Sequence, residues 1–311
     1  MVRRILAVAA GSVVLSFALP GSAHDLTPPR SEVTRLEVTR SGESMAVSGT
    51  ATFGGQRLIS IGTDPAGDFG SPDLPTNPYD LLEAQIGQLD AANGDFTFVL
   101  KVADLFASGG VPEVVRYTWD FGIDMGGDSP VLLQIDGKLT DVIRNQSANV
   151  PAFQLRGNCA PDPNAPTVIV CQKIADLTAE MIASSDEIFV DVPRAIVEQQ
   201  AKGPIAGRPL VPASIFEGIV AVPSAYFSAS GTGDTLTWDA ETHPYTVAYK
   251  RVLLTLSVPG QADRTIDADL AADGSFSASF PAPDADSYSV TAEACFGTNC
   301  SEPLSIISAS I

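Results

Sequence analysis

The sequence predicts an all-β chain of short antiparallel strands folded as two sandwiches. Three observations carry that reading. Apolar and polar residues alternate with a period of two over many short runs. Clusters of turn formers separate those runs, and the chain holds 26 Gly and 23 Pro. Helical spacing is confined to two stretches, 172–184 and 194–200.

Residues 1–23 read as a signal peptide. Arg3 and Arg4 supply a positive start, residues 5–19 an apolar run, and Pro20-Gly21-Ser22-Ala23 a small-residue cleavage site. The run is short for a membrane span, and no cysteine follows the cleavage site to carry a lipid anchor. A mature chain of about 288 residues is long enough for two domains.

The first domain, residues 30–235, offers strands at 35–39, 44–52, 81–89, 95–102, 114–123, 131–135, 152–155, 167–171 and 187–192. Turns at Asn93-Gly94 and at Gly126-Gly127-Asp128 punctuate them. In 172–184, Ile174, Leu177, Met181 and Ile182 fit helical spacing, while Leu177, Ala179 and Met181 also alternate. We read a strand with a short helical turn there. Residues 194–200 follow Pro193, which suits a helix start. Residues 201–223 are rich in Gly and Pro, with an edge strand expected at 215–221. The second domain, residues 236–311, offers strands at 246–258, 264–270, 275–280, 287–296 and 304–308. Asp273-Gly274 marks a hairpin between two of them. Short antiparallel strands with one disulfide suit an immunoglobulin-like β-sandwich.

The formal net charge is −19. So acidic a chain repels phosphate backbones and anionic lipid, which argues against nucleic acid and membrane insertion and leaves cations and neutral ligands. The four cysteines form two local pairs, Cys159–Cys171 and Cys295–Cys300. Export implies an oxidising compartment, so two disulfides are expected, with nearest-neighbour pairing one of three connectivities. A zinc site would want CxxC spacing and a nearby histidine. Closing the 159–171 loop is worth about 3 kcal/mol on the chain-entropy model.

Motifs for catalysis are scarce. The two histidines, His24 and His243, stand in no GxSxG or HExxH pattern, and no Gly-rich phosphate loop carries a lysine. Paired carboxylates acting as in a glycosidase stay open, since spacing in sequence does not reveal their geometry. The stretch GTDPAGDFGSPD at 62–73 gathers Asp64, Asp68 and Asp73, with Asp80 following. Asp64, Asp68 and Asp80 could coordinate calcium, with Gly67 allowing the tight turn. The same composition is also what a turn demands. Tyr117, Trp119 and Phe121 share one side of a strand and read as core, not as a stacking platform. Asp120 and Asp124 then face the other way, as candidates for a ligand-binding face.

The succession TDPAGD, YDLLEAQIGQL, FTFVLKVADL, YTWDFGID and FVDVPRAIV resembles β-sandwich modules of the DOMON and carbohydrate-binding-module family 9 type, over about 170 residues. Asp64, Asp68 and Asp80 match the early D-x-x-G-D loop and the strand that follows it. The resemblance implies a jelly-roll-like antiparallel β-sandwich that binds a ligand, often a sugar and in some relatives haem or calcium. A haem pair would use Met and His, and residues 30–235 contain no histidine. Sugar-binding relatives clamp the ring between tryptophans, and Trp119 is the only one in this range. The expectation is a secreted, extracellular, non-enzymatic protein for ligand binding or adhesion, with a glycan or a protein as ligand and calcium as a candidate cofactor. A carbohydrate-binding accessory to a separate hydrolase is the second reading, and a secreted hydrolase using acidic residues the third.

Overall fold

The computed structural model describes residues 29–66, 80–105, 114–140, 152–162, 165–182, 184–213, 224–227, 234–285 and 287–309. The expected signal peptide, Asp68, Asp73 and the 215–221 strand lie outside the described residues.

The chain opens with a hairpin, β1 (Glu32–Ser41) and β2 (Ser44–Thr52). Next come β3 (Gln56–Thr63), β4 (Leu81–Gln88), β5 (Phe96–Val102), β6 (Val114–Ile123), β7 (Val131–Thr140), β8 (Ala152–Asp162), β9 (Ala165–Ile182) and β10 (Glu187–Val192). The helix α1 (Arg194–Ala201) precedes β11 (Pro209–Pro212), β12 (Ser224–Phe227) and β13 (Tyr245–Thr246). The chain closes with β14 (Lys250–Ser257), β15 (Arg264–Asp267), β16 (Asp269–Leu270), β17 (Ser275–Pro281), β18 (Ser287–Phe296), β19 (Asn299–Cys300) and β20 (Leu304–Ala309). The protein is all-β and antiparallel in its pairing, as expected. Residues 172–182 belong wholly to a strand, and α1 starts where Pro193 places it.

The larger unit is one eleven-stranded sheet in the order β13-β11-β6-β7-β8-β9-β10-β5-β4-β3, with β12 also pairing β6. It curls onto itself. β5 and β6 are far apart in that order, yet the rings of Phe98 and Phe121 lie 5.1 Å apart across the interior. Tyr117, Trp119, Phe121 and Ile123 of β6 all point into the core, with Trp119 against Phe153. The aromatics are core, as the polar opposite side of the strand implied. Each contributes on the order of 2–3 kcal/mol by leaving water. Val197 of α1 closes part of the same core.

The smaller unit is a two-layer sandwich. One layer has the order β1-β2-β17-β16, and the other has β15-β14-β18-β19 with β20 also on β18. Val33, Leu36, Met45 and Val47 of the first hairpin pack against Val252, Leu254, Leu256, Phe276 and Val290.

The cores therefore divide elsewhere than at the expected cut between residues 235 and 236. The first hairpin, placed by sequence in the amino-terminal domain, pairs with β17 through Thr50↔Ser275 and completes the smaller sandwich. Leu236, Trp238, Tyr245 and Val247, placed in the carboxy-terminal domain, lie in the larger core. The larger unit is thus inserted into the smaller one. The physical reason is burial: the β1–β2 hairpin has an apolar side that, among the described residues, the strands from β14 to β20 cover.

The two crossings between units are held together at Gln88, which is fully buried. Its Nε2 donates to the Gly94 carbonyl at 2.6 Å, and its Oε1 accepts from the Ala248 N–H at 2.6 Å and the Tyr245 hydroxyl at 3.3 Å. Tyr245 shares that single hydroxyl hydrogen with Gln56 Oε1, 3.1 Å away. The entry and the exit of the inserted unit so meet at one amide side chain.

Both disulfides form as nearest neighbours, Cys159–Cys171 between β8 and β9, and Cys295–Cys300 between β18 and β19. They fit an oxidising environment. Among the described residues, no helix is long and apolar enough to cross a membrane.

Candidate functional site

The side of β6 opposite the aromatic core carries Arg116, Thr118 and Asp120. Pairing sets Thr118 beside Asp136 and Asp120 beside Gln134 on β7, and Gln134 beside Arg156 on β8. A slip of one residue would turn every one of these polar groups into the core, so the aromatic stripe fixes the register. The cluster is a consequence of β alternation.

Asp136 is its fixed point, only 4% exposed. Arg116 holds it with two contacts, Nε to Oδ1 at 2.5 Å and Nη2 to Oδ2 at 2.8 Å. Arg156 Nε lies 3.0 Å from the same Oδ2 as an ion pair, off hydrogen-bond geometry. Two guanidiniums thus neutralise one carboxylate and leave a positive excess beside Asp120. Asp120 is half-buried and accepts from Gln134 Nε2 at 2.7 Å. Loss of water around its carboxyl pushes its pKa up to about 6; the Gln134 bond opposes this, the Asp136 charge adds to it, and Arg116 opposes it.

The two expected face residues do not converge. Asp124 caps the turn after β6, its Oδ1 accepting from the Gly126 N–H at 2.7 Å, while its own N–H donates to the Pro209 carbonyl. It shapes the β6–β7 connection. Arg116, Gln134, Asp136 and Arg156 were not singled out by sequence. The signal was present: polar residues recur at the same parity as Asp120 along β6, β7 and β8.

Of the expected calcium trio, Asp64 and Asp80 come to the same end of the β3–β4 hairpin, beyond the Thr63↔Glu83 pair. The Asp64 N–H donates to the Leu82 carbonyl, and Asp80 is 2% exposed at the start of β4. Asp234, not foreseen, accepts from the Leu81 N–H beside Asp80 at 2.7 Å. Asp68 lies outside the described residues. Among the described residues no group of three His, Cys, Asp or Glu is gathered to hold a metal ion.

A cavity of about 440 Å³ opens at the seam of the two units, lined by Phe53, Leu89, Asp90, Ala91, Lys250 and Asp273 among others. Its carboxylates serve their own turns: Asp90 Oδ1 accepts from the Ala92 N–H, and Asp273 Oδ1 from the Ser275 N–H and hydroxyl. The Lys250 ammonium sits 5.8 Å above the Phe53 ring. The two carboxylates are taken up by their own turns, which makes it a poorer ligand site than the Asp120 face. His243 is exposed in a turn, with its carbonyl accepting from the Trp238 indole N–H.

No protein-family model and no curated protein matches this chain.

Proposed function

We propose that this is an exported, non-enzymatic protein that binds a hydroxyl-rich ligand, such as a glycan, on the Asp120 face of β6–β8. The observation that carries the reading is the Asp120 carboxyl, kept half-buried with its pKa near 6 beside the Arg116–Asp136–Arg156 triad. A carboxyl desolvated by its own fold weakens that fold, and such groups concentrate where a ligand is met. Mixed donors and acceptors of both signs, two guanidiniums against two carboxylates and so a net charge close to zero, suit a neutral polyol better than an ion. The two disulfides and the signal-like leader support export.

One observation favours the hydrolase reading. A carboxyl raised towards neutrality beside a second carboxylate resembles an acid–base pair. Against it, both Asp136 oxygens are engaged by guanidiniums, so that carboxylate is poorly placed to act as nucleophile or base.

A glycan array and a polysaccharide pull-down test the proposal on wild type and on Asp120→Ala. Binding that Asp120→Ala weakens about tenfold or more supports it. Blank arrays, or binding untouched by the substitution, remove the assignment. Turnover on a panel of glycoside substrates would move the protein to the hydrolase class.

A further inference from the structure

The hairpin that ends β18 returns as the two-residue strand β19, and the Cys295–Cys300 disulfide joins residues directly opposite each other in it. None of residues 295–300 belongs to the core of the smaller sandwich. Their contacts run to the crossings between the units instead. Asn299 Nδ2 donates to the Gly55 carbonyl at 2.9 Å, in the segment that enters the inserted unit. The Gly297 N–H donates to the Tyr249 carbonyl at 3.1 Å, in the segment that leaves it. Phe296 is buried with Ala248 of the exit and Ala91 of the β4–β5 turn, against Phe53 of the entry. Gly297 takes a φ of 60°, and a Cβ there would stand 3.1 Å from the Ala248 Cβ. One loop tip therefore touches both crossings and the inserted unit.

The disulfide is placed to govern that contact. It spans a sequence separation of 5, against 12 for Cys159–Cys171, so chain entropy gives it the smaller share in holding the whole fold. Cys295 is fully buried and Cys300 is exposed, whereas in the other disulfide Cys171 is buried and Cys159 half-buried. A thiolate from solvent therefore meets Cys300 first, and access is one of the factors that decide which disulfide exchanges. Ser301 secures the base of the hairpin separately. Its N–H donates to the Ala294 carbonyl at 2.8 Å, and its Oγ accepts from the Ala294 N–H at 3.0 Å. Opening the disulfide frees the tip and leaves β18 in its sheet.

We infer that the Cys295–Cys300 disulfide is a redox-sensitive latch on the joint between the two units. Closed, it holds the tip against Gly55 and Tyr249. A small dithiol opens it. One thiolate of the reagent attacks Cys300 Sγ, and Cys295 leaves as a thiolate and takes up a proton. The second sulfur of the reagent then displaces Cys300, so two electrons and two protons pass to the protein and the reagent ends as a disulfide. With the tip free, the entry and the exit are joined only through Gln88 and its neighbours. The latch uses no residue of the Asp120 face and stands apart from the ligand reading.

The test is amide hydrogen exchange, read residue by residue, on the oxidised chain and on Cys295→Ala/Cys300→Ala. The Ala248 and Gly297 N–H groups report on the joint, and the amides of 252–256 in β14 report on the sandwich. In the double variant the joint amides should exchange about tenfold faster or more, while those of 252–256 stay within about twofold. Dithiothreitol on folded wild type should give the same pattern, with a thiol reagent labelling Cys295 and Cys300 before Cys159 and Cys171. That second measurement decides the matter even if the double variant fails to fold. Joint amides that stay within about twofold overturn the inference. So does an equal acceleration of joint and sandwich, the mark of a staple for the whole fold, or earlier labelling of Cys159 and Cys171.

Discussion

Replacing Asp120 by asparagine should stabilise this protein at neutral pH. In the folded chain the Asp120 carboxyl takes up its proton near pH 6, against an ordinary value of 3.8. Between those values the folded state binds more protons than the unfolded one, so stability falls as pH rises. The contribution is fully present below about 3.8 and gone above about 6. At about 1.4 kcal/mol per pH unit, the full gap corresponds to about 3 kcal/mol. Asp120 keeps part of its surface in water, and screening there brings the expected figure to about 2 kcal/mol. Asparagine has no charge to desolvate, and its Oδ1 can still accept from Gln134. Urea unfolding of both proteins from about pH 4 to 7.5 measures the difference directly. Both tryptophans, Trp119 and Trp238, lie in the larger core, so their fluorescence reports on the unit that holds Asp120. The stability gap between Asp120→Asn and wild type should open from near zero at the acid end to about 2 kcal/mol at the neutral end. A gap that ignores pH, or an asparagine variant less stable at neutral pH, refutes the reasoning.

Gln88→Leu should be costly, because it strands the Ala248 N–H and the Gly94 carbonyl in a buried place. At about 1–3 kcal/mol for each stranded group, a loss of about 3 kcal/mol is expected, or a Tm lower by about 6–12 °C; a drop under about 2 °C would show that the junction is held otherwise. Residues 248–311 alone lack the β1–β2 hairpin that covers their core, so their circular dichroism should show no cooperative melt. The same segment joined by a short Gly/Ser linker to residues 29–53 should melt cooperatively, and a folded 248–311 by itself would sink the insertion account.

Most strands were legible because each needs only its own alternation. Val114–Ile123 was visible for that reason, and so were its buried aromatics and its polar opposite side. β3 was not read as a strand. Its pairing with β4 shifts register between Gln56 and Ile59 and again between Ser60 and Gly62, which breaks the period-two pattern. The insertion was invisible for a different reason. Thr50 and Ser275 carry no mark that they pair, and local pattern says nothing about distant partners. The Asp120 cluster lies between these cases. Arg116, Asp120, Gln134, Asp136 and Arg156 each show the right parity, but only the order β6-β7-β8 brings them side by side. Asp124 shared that parity too and went to a turn instead, since parity does not say where a strand ends.

The Thr50↔Ser275 pairing also sets an order of events during synthesis. The first hairpin is made early and cannot bury Val33, Leu36, Met45 or Val47 until β14–β18 exist. At roughly 5–20 residues per second, that interval is on the order of ten to fifty seconds. The inserted unit can complete its own core within it, and by doing so brings Gln56 and Ala248 together at Gln88. Folding of the larger unit thereby shortens the loop that the smaller one has to close, turning a pairing between remote segments into one between neighbours.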